Sequence, residues 1–529
     1  MAFNDLSFLF IFFPLFLLLH QFMPMKGKNI VLVILSLLFF AWGSPRYMVL
    51  MIFIILFNYL SGLQIAAQKE DNRHSAAKFT LVSAVVANLL LLGFFKYWGF
   101  VIENVNGLLR TSIPVPQTPM PLGVSFFTFS ILSYLFDVYR DKAPATKNLL
   151  HFTLFVTFFP KLVSGPIVQY KTMLPQIKER KITQAHFGVG SRQFLIGLSK
   201  KVLLSNILGT TFYAVTALPS DGVSMVTAWL GAVSYALMLY FDFSGYSDMA
   251  IGLATMCGFT FEKNFDYPYM STSISEFWRR WHISLGAWFR DYIYIPLGGS
   301  RVSKGKHIRN LLIVWLCTGI WHGANWTFIF WGLFHGGIIL LEKFVLKDFL
   351  EKIPGFIRCI FTMLMVLIGW VFFFSADLSS AFTWLGQMFG IGAAGLLFLH
   401  LMAALFALGA KHLEFGGALA HLHIEGLALD FGEAAALSEL FFAEPVARAR
   451  FQPCAQIVGP DELGGGAGRD VLHGGTQAAY GRKVLHGLVQ HIAQGRFGHL
   501  VVQAGQHGAL LHDLTFVHVH ALQDAAFEG

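Results

Sequence analysis

Between residues 310 and 341 the chain runs 32 positions without a Lys, Arg, Asp or Glu, and nearly uncharged stretches recur along its first four hundred residues. A run of roughly 18 or more such residues is long enough to cross the hydrocarbon layer of a bilayer. A chain made of them cannot fold as a string of soluble domains. Composition agrees: 13% of the 529 residues are charged, against about 25% in ordinary soluble chains. The 55 Phe and 12 Trp are more than one soluble core of this size hides. The sequence therefore predicts an all-α polytopic membrane protein. A disulfide scaffold is excluded, because Cys257, Cys317, Cys359 and Cys454 show no C-x-x-C spacing and read as small buried hydrophobes.

Charge is unevenly spread. The chain holds 38 Lys and Arg against 30 Asp and Glu; from His412 onward the counts are 6 and 12, which leaves 32 and 18 for the first 411 residues. In a membrane protein that excess reads as cytoplasmic-loop bias and contact with anionic lipid. Nucleic-acid binding is disfavoured, since the basic residues flank apolar spans and form no continuous face.

The N-terminal stretch 6–23 lacks a basic start and a small-residue cleavage site, so it is expected as a retained first helix. Residues 30–42 are short for a crossing and are expected to be re-entrant or tilted. Full spans are expected at 47–67, 79–95, 122–139, 149–168, 194–215, 226–243 and 357–374. A short one is expected at 249–261, a broken or strongly tilted pair within 310–341, and a last span at 385–410. Pro114, Pro116, Pro119 and Pro121 make 110–122 an extended connector. Residues 264–309 are aromatic, Arg-rich and interrupted by Pro and Gly. Past residue 410 the composition shifts. The segment 411–529 has no Trp or Met and, from His412, eleven of the twenty His. It is read as a His/Gly/Ala-rich tail, out of frame or disordered, with a metal-binding tail the disfavoured alternative. The membrane core is thus 1–410.

Ionised groups at membrane depth cost roughly 2.5–3.5 kcal/mol on insertion scales, so polar residues there are informative. They fall in three clusters. The run from Tyr240 to Asp248 places Asp242 and Asp248 at the end of a span. The second, Trp321-His322-Gly323-Ala324-Asn325-Trp326, lies inside the longest charge-free stretch. His322 is the foremost candidate, because a buried neutral imidazole can pass a proton near neutral pH. On a helix Asn325 would share its face and orient the ring or a substrate carbonyl. A His merely bonded to a neighbouring helix stays an equal reading on spacing alone. His335 is read as structural, with Gly336 and Gly337 marking close packing. The third cluster contains Trp278, Arg279, Arg280, Trp281 and His282, with Arg290 and Asp291 following. It reads as an interfacial anchor, or as a basic mouth for an anionic donor. No Walker A loop, H-E-x-x-H or G-x-S-x-G is present, and no metal site is expected.

Five runs carry a resemblance. Lys161-Leu162-Val163-Ser164-Gly165-Pro166-Ile167, Phe241-Asp242-Phe243-Ser244-Gly245-Tyr246-Ser247-Asp248 and Phe277-Trp278-Arg279-Arg280-Trp281-His282-Ile283-Ser284-Leu285 are followed by Tyr292-Ile293-Tyr294-Ile295-Pro296-Leu297-Gly298-Gly299 and Gly319-Ile320-Trp321-His322-Gly323-Ala324-Asn325-Trp326. In this order they resemble the membrane-bound O-acyltransferase superfamily over about residues 1–390. The resemblance implies a ring of about ten or more transmembrane and re-entrant helices around a central funnel. It matches His322 to the family's invariant histidine and His282 to its second, loop histidine. It implies an O-acetyltransferase of the bacterial inner membrane with no bound cofactor and acetyl-CoA as cytoplasmic donor. Acetyl groups would pass to periplasmic acetyltransferase partners for an exopolysaccharide acceptor such as alginate. Arg279, Arg280 and Arg290 would hold the donor, and Trp321, Asn325 and Asp242 would line the site. Two other classes stay in view: a transporter or channel with Asp242, Asp248 and His322 as its polar path, and a non-catalytic assembly platform.

Overall fold

A backbone in hydrocarbon has to satisfy its own hydrogen bonds, and helices do so within one segment. The computed structural model describes residues 2–391 apart from positions 117 and 220–221, and among the described residues it contains helices and no strand. The tail 411–529 and the part of the last expected span beyond residue 391 lie outside the described residues. The first half comprises α1 (Phe13–Phe22), α2 (Met25–Gly43), α3 (Met48–Glu70), α4 (His74–Leu109), α5 (Val124–Tyr139), α6 (Leu149–Thr157), α7 (Phe159–Leu162), α8 (Tyr170–Lys178) and α9 (Gln184–Ser199). A π-helical turn at Lys200–Ser205 leads into α10 (Asn206–Thr216), followed by α11 (Met225–Met256), α12 (Ile274–Arg280) and α13 (Ile283–Phe289). A further π-turn at Arg290–Tyr294 precedes α14 (Lys304–His322), α15 (Trp326–Phe344), α16 (Lys347–Leu350), α17 (Gly355–Phe374) and α18 (Leu378–Met388). Six of the described helices are long and apolar enough to cross a membrane: α2, α3 with the turn before it, α4, α11, α15 and α17.

Four segments differ from expectation, each for a local reason. The stretch at 30–42 is the body of the 19-residue α2, whose polar start is helical as well. Lys28 there is buried and donates to the backbone oxygens of His20 and Gln21 at the end of α1, so its charge does not stop the helix. The expected span 149–168 breaks at Phe158, because Pro160 has no N–H with which to continue the ladder. Its freed amides are taken up by side chains: Phe159 N–H by Ser36 Oγ at 3.1 Å and Ile167 N–H by Ser284 Oγ at 3.0 Å. The segment at 226–243 and the first part of that at 249–261 form one 32-residue helix, α11, which ends at Met256. Asp242 and Asp248 therefore lie within a span rather than at its end, each neutralised by a Lys of the π-turn before α10, Lys201 at 2.7 Å and Lys200 at 2.6 Å. Finally, the Trp residues of the third cluster do not anchor at headgroups. Trp281 is 4% exposed, and Trp278 packs against Trp315 and Trp331 with ring centroids 5.0 and 5.3 Å apart. His282 adopts left-handed φ of 46°, which splits the expected interfacial helix and turns its aromatic side inward.

The pair expected within 310–341 is present as α14 and α15, interrupted at 323–325. These two helices touch backbone to backbone. A Cβ on Gly319 would lie 2.4 Å from the Phe328 oxygen, and one on Gly332 would lie 2.4 Å from the Trp315 oxygen. A second seam joins α9 to α11, where Gly197 faces Gly245 and Gly190 faces Gly252 so closely that a Cβ would meet the opposing carbonyl at 2.4–2.7 Å.

Direction follows from cross-helix bonds. Asn29 of α2 meets Ile177 of α8, Lys69 of α3 meets Tyr139 of α5, Arg180 meets Cys257 after α11, and Lys171 meets Asp291. Tyr294 meets His307 of α14. One end of the bundle therefore gathers Lys26, Lys28, Lys69, Arg73, Arg140, Lys171, Lys178, Arg180, Arg290, Lys304 and Lys306. Arg46 and Arg110 lie at the other end, where Tyr47 donates to the Pro119 oxygen.

The α9–α11 seam yields a test. Gly197→Leu would drive a side chain into the Gly245 carbonyl, and overpacking of this kind costs about 1–3 kcal/mol or more. The variant should accumulate poorly in membranes and melt earlier in detergent, whereas Gly188→Ala, at a position with nothing within 4 Å, should match the parent.

Candidate active site

The break between α14 and α15 places an imidazole at a helix end. His322 is the last residue of α14, and the residue as a whole is half-buried. Trp321 and Trp331 lie 4.9 Å from it and Phe373 of α17 lies 5.2 Å away, all edge-on. Gly323 then extends the chain, and a Cβ there would lie 2.1 Å from the Phe328 ring. The ring thus lies among aromatic side chains of α14, α15 and α17.

The helix end itself is held from α4. Lys96 Nζ donates to the backbone oxygens of Trp321 and His322, and Tyr97 OH to that of Ile320 at 2.5 Å. The last carbonyls of a helix have no partner within it, and a cation placed there also meets the negative end of the helix dipole. The ammonium sits 5.6 Å from the Trp321 ring as well, within cation–π range. Lys96 has no prominence in the sequence, being a single cation just past an apolar run; its partners come from 225 residues away.

Trp321 connects the two histidines. It stacks on Phe129 at 5.5 Å, meets Phe126 at 5.6 Å, and lies 6.1 Å from His282. His282, 3% exposed, caps α13 and rests edge-on against Phe243 of α11 at 4.6 Å. Its Nδ1 is 3.2 Å from Asn264 Oδ1. Neither Trp321 Nε1 nor His282 Nε2 has a hydrogen-bond partner among the described residues. Residues 282, 321 and 322, far apart in sequence terms from the loop and the long stretch, thus come together.

The other expected residues are placed differently. Asn325 is not on the His322 helix; it caps α15 by accepting from Thr327 N–H at 3.1 Å and donates to the Ala376 oxygen at 2.7 Å. Arg280 is engaged by Glu276 at 2.8 Å and by the Asp266 oxygen at 3.2 Å. Arg279 and Arg290 are exposed, Arg290 pairing with Asp291 at 2.9 Å. Asp242, bound to Lys201, makes no recorded contact with His322. Burial alone would raise the Asp291 carboxyl, but hydrogen bonds from Arg290, Gln169 and Lys171 outweigh it and hold the group below the usual carboxylate range. Its contribution to the fold is therefore present at neutral pH and lost as the pH falls through that depressed value. His335 is enclosed by Trp278, Trp331 and Trp315 at 5.0, 5.2 and 5.7 Å. Gly336 packs on Trp315, whereas Gly337 meets nothing within 4 Å. No three His, Cys, Asp or Glu side chains converge as metal ligands among the described residues.

Chemically, the arrangement offers an imidazole at a helix end, a second, buried imidazole, and a buried indole N–H with no acceptor among the described residues. Lys96→Met would leave the Trp321 and His322 carbonyls without their donor, a loss of about 1–3 kcal/mol. Thermal melting in detergent should show that fall, and Lys96→Arg should recover part of it; a Met variant as stable as the parent would remove the clamp.

Comparison with known proteins fits this geometry. The sequence profile of MBOAT, the membrane-bound O-acyltransferase family, matches residues 49–400. A probable alginate O-acetylase of Azotobacter vinelandii is 42% identical over 398 residues, covering 74% of this chain and 79% of the relative. A peptidoglycan O-acetyltransferase of Helicobacter pylori is 35% identical over 442 residues, covering 77% and 83%. A teichoic acid D-alanyltransferase of Bacillus subtilis is 28% identical over 311 residues, covering 55% and 75%.

Proposed function

The chain belongs to the membrane-bound O-acyltransferase family and is an O-acyltransferase, and from that premise we propose that it moves acetyl groups from a cytoplasmic donor, acetyl-CoA, toward an exopolysaccharide such as alginate, with His322 as catalytic base. The observation that carries this reading is the His322 ring, held at a helix end among Trp321, Trp331 and Phe373 with a second imidazole behind Trp321. A neutral imidazole there removes the proton from an attacking hydroxyl, whose oxygen bonds to the acyl carbon as the C–S bond breaks, and the imidazolium returns that proton to the departing thiolate. General-base catalysis of this kind contributes roughly 10²–10⁴ in rate.

The side of donor entry follows from the asymmetry of charge. Basic residues concentrate at the bundle end bearing Arg290, Lys304 and Lys306, and such an excess marks the cytoplasmic face. An acyl donor carrying phosphates would be drawn to that end, with exposed Arg279 and Arg290 available to it. The membrane is then the bacterial inner membrane, and the acceptor side is periplasmic, where partner acetyltransferases would complete modification of the polymer. Likeness to alginate O-acetylases at about 40% identity supports the polymer class. The Lys200–Asp248 and Lys201–Asp242 pairs neutralise the carboxylates that a transport path through α11 would use.

His322→Ala should abolish polymer O-acetylation in a complemented deletion strain while the protein accumulates in membranes at the parental level. Acetyl released from the purified polymer by mild base measures it, and parental acetylation by the variant would end the proposal.

A further inference from the structure

The side-chain amide of Asn264 has one possible orientation. Its Oδ1 lies 3.1 Å from the backbone N–H of Ser284, and a peptide N–H only donates, so the atom facing it is the oxygen. Ser284 Oγ donates to the same oxygen at 2.9 Å, and Nδ2 on the other side donates to Ser247 Oγ at 3.0 Å. Asn264 is 1% exposed, so water offers no competing arrangement. That oxygen is also the atom 3.2 Å from His282 Nδ1. Since the oxygen carries no proton, Nδ1 has to supply it. A neutral imidazole has one N–H, so Nε2 is left with a bare lone pair. Asn264 also fixes the backbone there, its carbonyl accepting Ile283 N–H at 2.9 Å, next to the left-handed residue His282.

We propose that Asn264 is a positioning residue that locks His282 in the Nδ1–H tautomer, making Nε2 a fixed hydrogen-bond acceptor for a hydroxyl of the acyl acceptor. This rests on the acyl-transfer reading of the His322 site and divides its labour. A carbohydrate acceptor carries several hydroxyls, so one reacts at His322 while its neighbour donates to His282. A neutral imidazole in this tautomer cannot donate to the acyl carbonyl oxygen from Nε2. That task requires a donor, and Trp321 Nε1, which has no acceptor among the described residues and whose ring neighbours His282, is of the right kind. The two nitrogens thus discriminate between substrate groups by polarity.

The test uses the full-length protein in lipid bilayers, labelled with ¹⁵N-histidine and observed by solid-state NMR, with the His282 signals identified by their loss in His282→Gln. The parent should show a protonated Nδ1 and an unprotonated Nε2. Asn264→Leu should lose that signature and mix the two tautomers, and Asn264→Asp, which keeps an acceptor in place, should retain the Nδ1–H. Acetyl transfer per accumulated protein should fall about 10²-fold in Asn264→Leu, the scale of losing a reactant's alignment, and return toward the parental rate in Asn264→Asp. A protonated Nε2 in the parent, or an unchanged tautomer in Asn264→Leu, would overturn the assignment. Should Asn264→Leu fail to accumulate, the parental spectrum and the Asn264→Asp rate decide. A fixed tautomer in a protein whose polymer acetylation is indifferent to His322 would leave Asn264's positioning intact and sink the acyl-transfer reading instead.

Discussion

Every helix that stops inside or beside a bilayer leaves its last carbonyls without partners, and here cations from other helices supply them. Lys28 does so for α1, Lys69 for α5, Arg180 for α11 and Lys96 for α14. Each places a positive charge against the negative end of a helix dipole, and Lys69 pairs with Asp141 as well. The bond from Lys96 matters most for chemistry. It fixes the end of α14, and that end is where Trp321 and His322 project. The position of the reactive ring is thus set by a side chain from α4, far away along the chain.

Irregularity supplies the rest of the site. Had α14 and α15 been one helix, residue 322 would lie on a continuous packed face. The interruption at 323–325 instead turns the chain back, and the touching backbones at Gly319 and Gly332 bring Trp331 against His322. A second interruption at His282, with its left-handed backbone, points that ring at Phe243 and Trp321 rather than along the membrane surface. Non-glycine residues in that conformation are uncommon, and they persist where surrounding bonds over-determine them; Asn264 provides two of those bonds.

The membrane class and most helix positions were legible from hydropathy, and the family from motif order. The pairing of α14 with α15 was legible because 32 uncharged residues exceed one upright crossing of roughly 20. What escaped has a common cause. Hydropathy registers a Lys as an end to a span, so the start of α2 was cut short at residue 30, although Lys28 is satisfied by α1. It registers adjacent carboxylates as a boundary, so α11 was split, although Lys200 and Lys201 neutralise them from the next helix. Asn325 was assigned to the face of His322 because a continuous helix was assumed across the break. Lys96 and Asn264 carry no local signal, since their partners are set by tertiary contact.

The glycine seam between α9 and α11 has a mechanical consequence. Where main chains touch there is no cushion of side chains to shear, and the two ionic rungs, Lys200 to Asp248 and Lys201 to Asp242, bolt the same pair together. The two helices therefore travel as a single plate. Whatever breathing admits a bulky guest has to be taken up by looser joints elsewhere in the bundle.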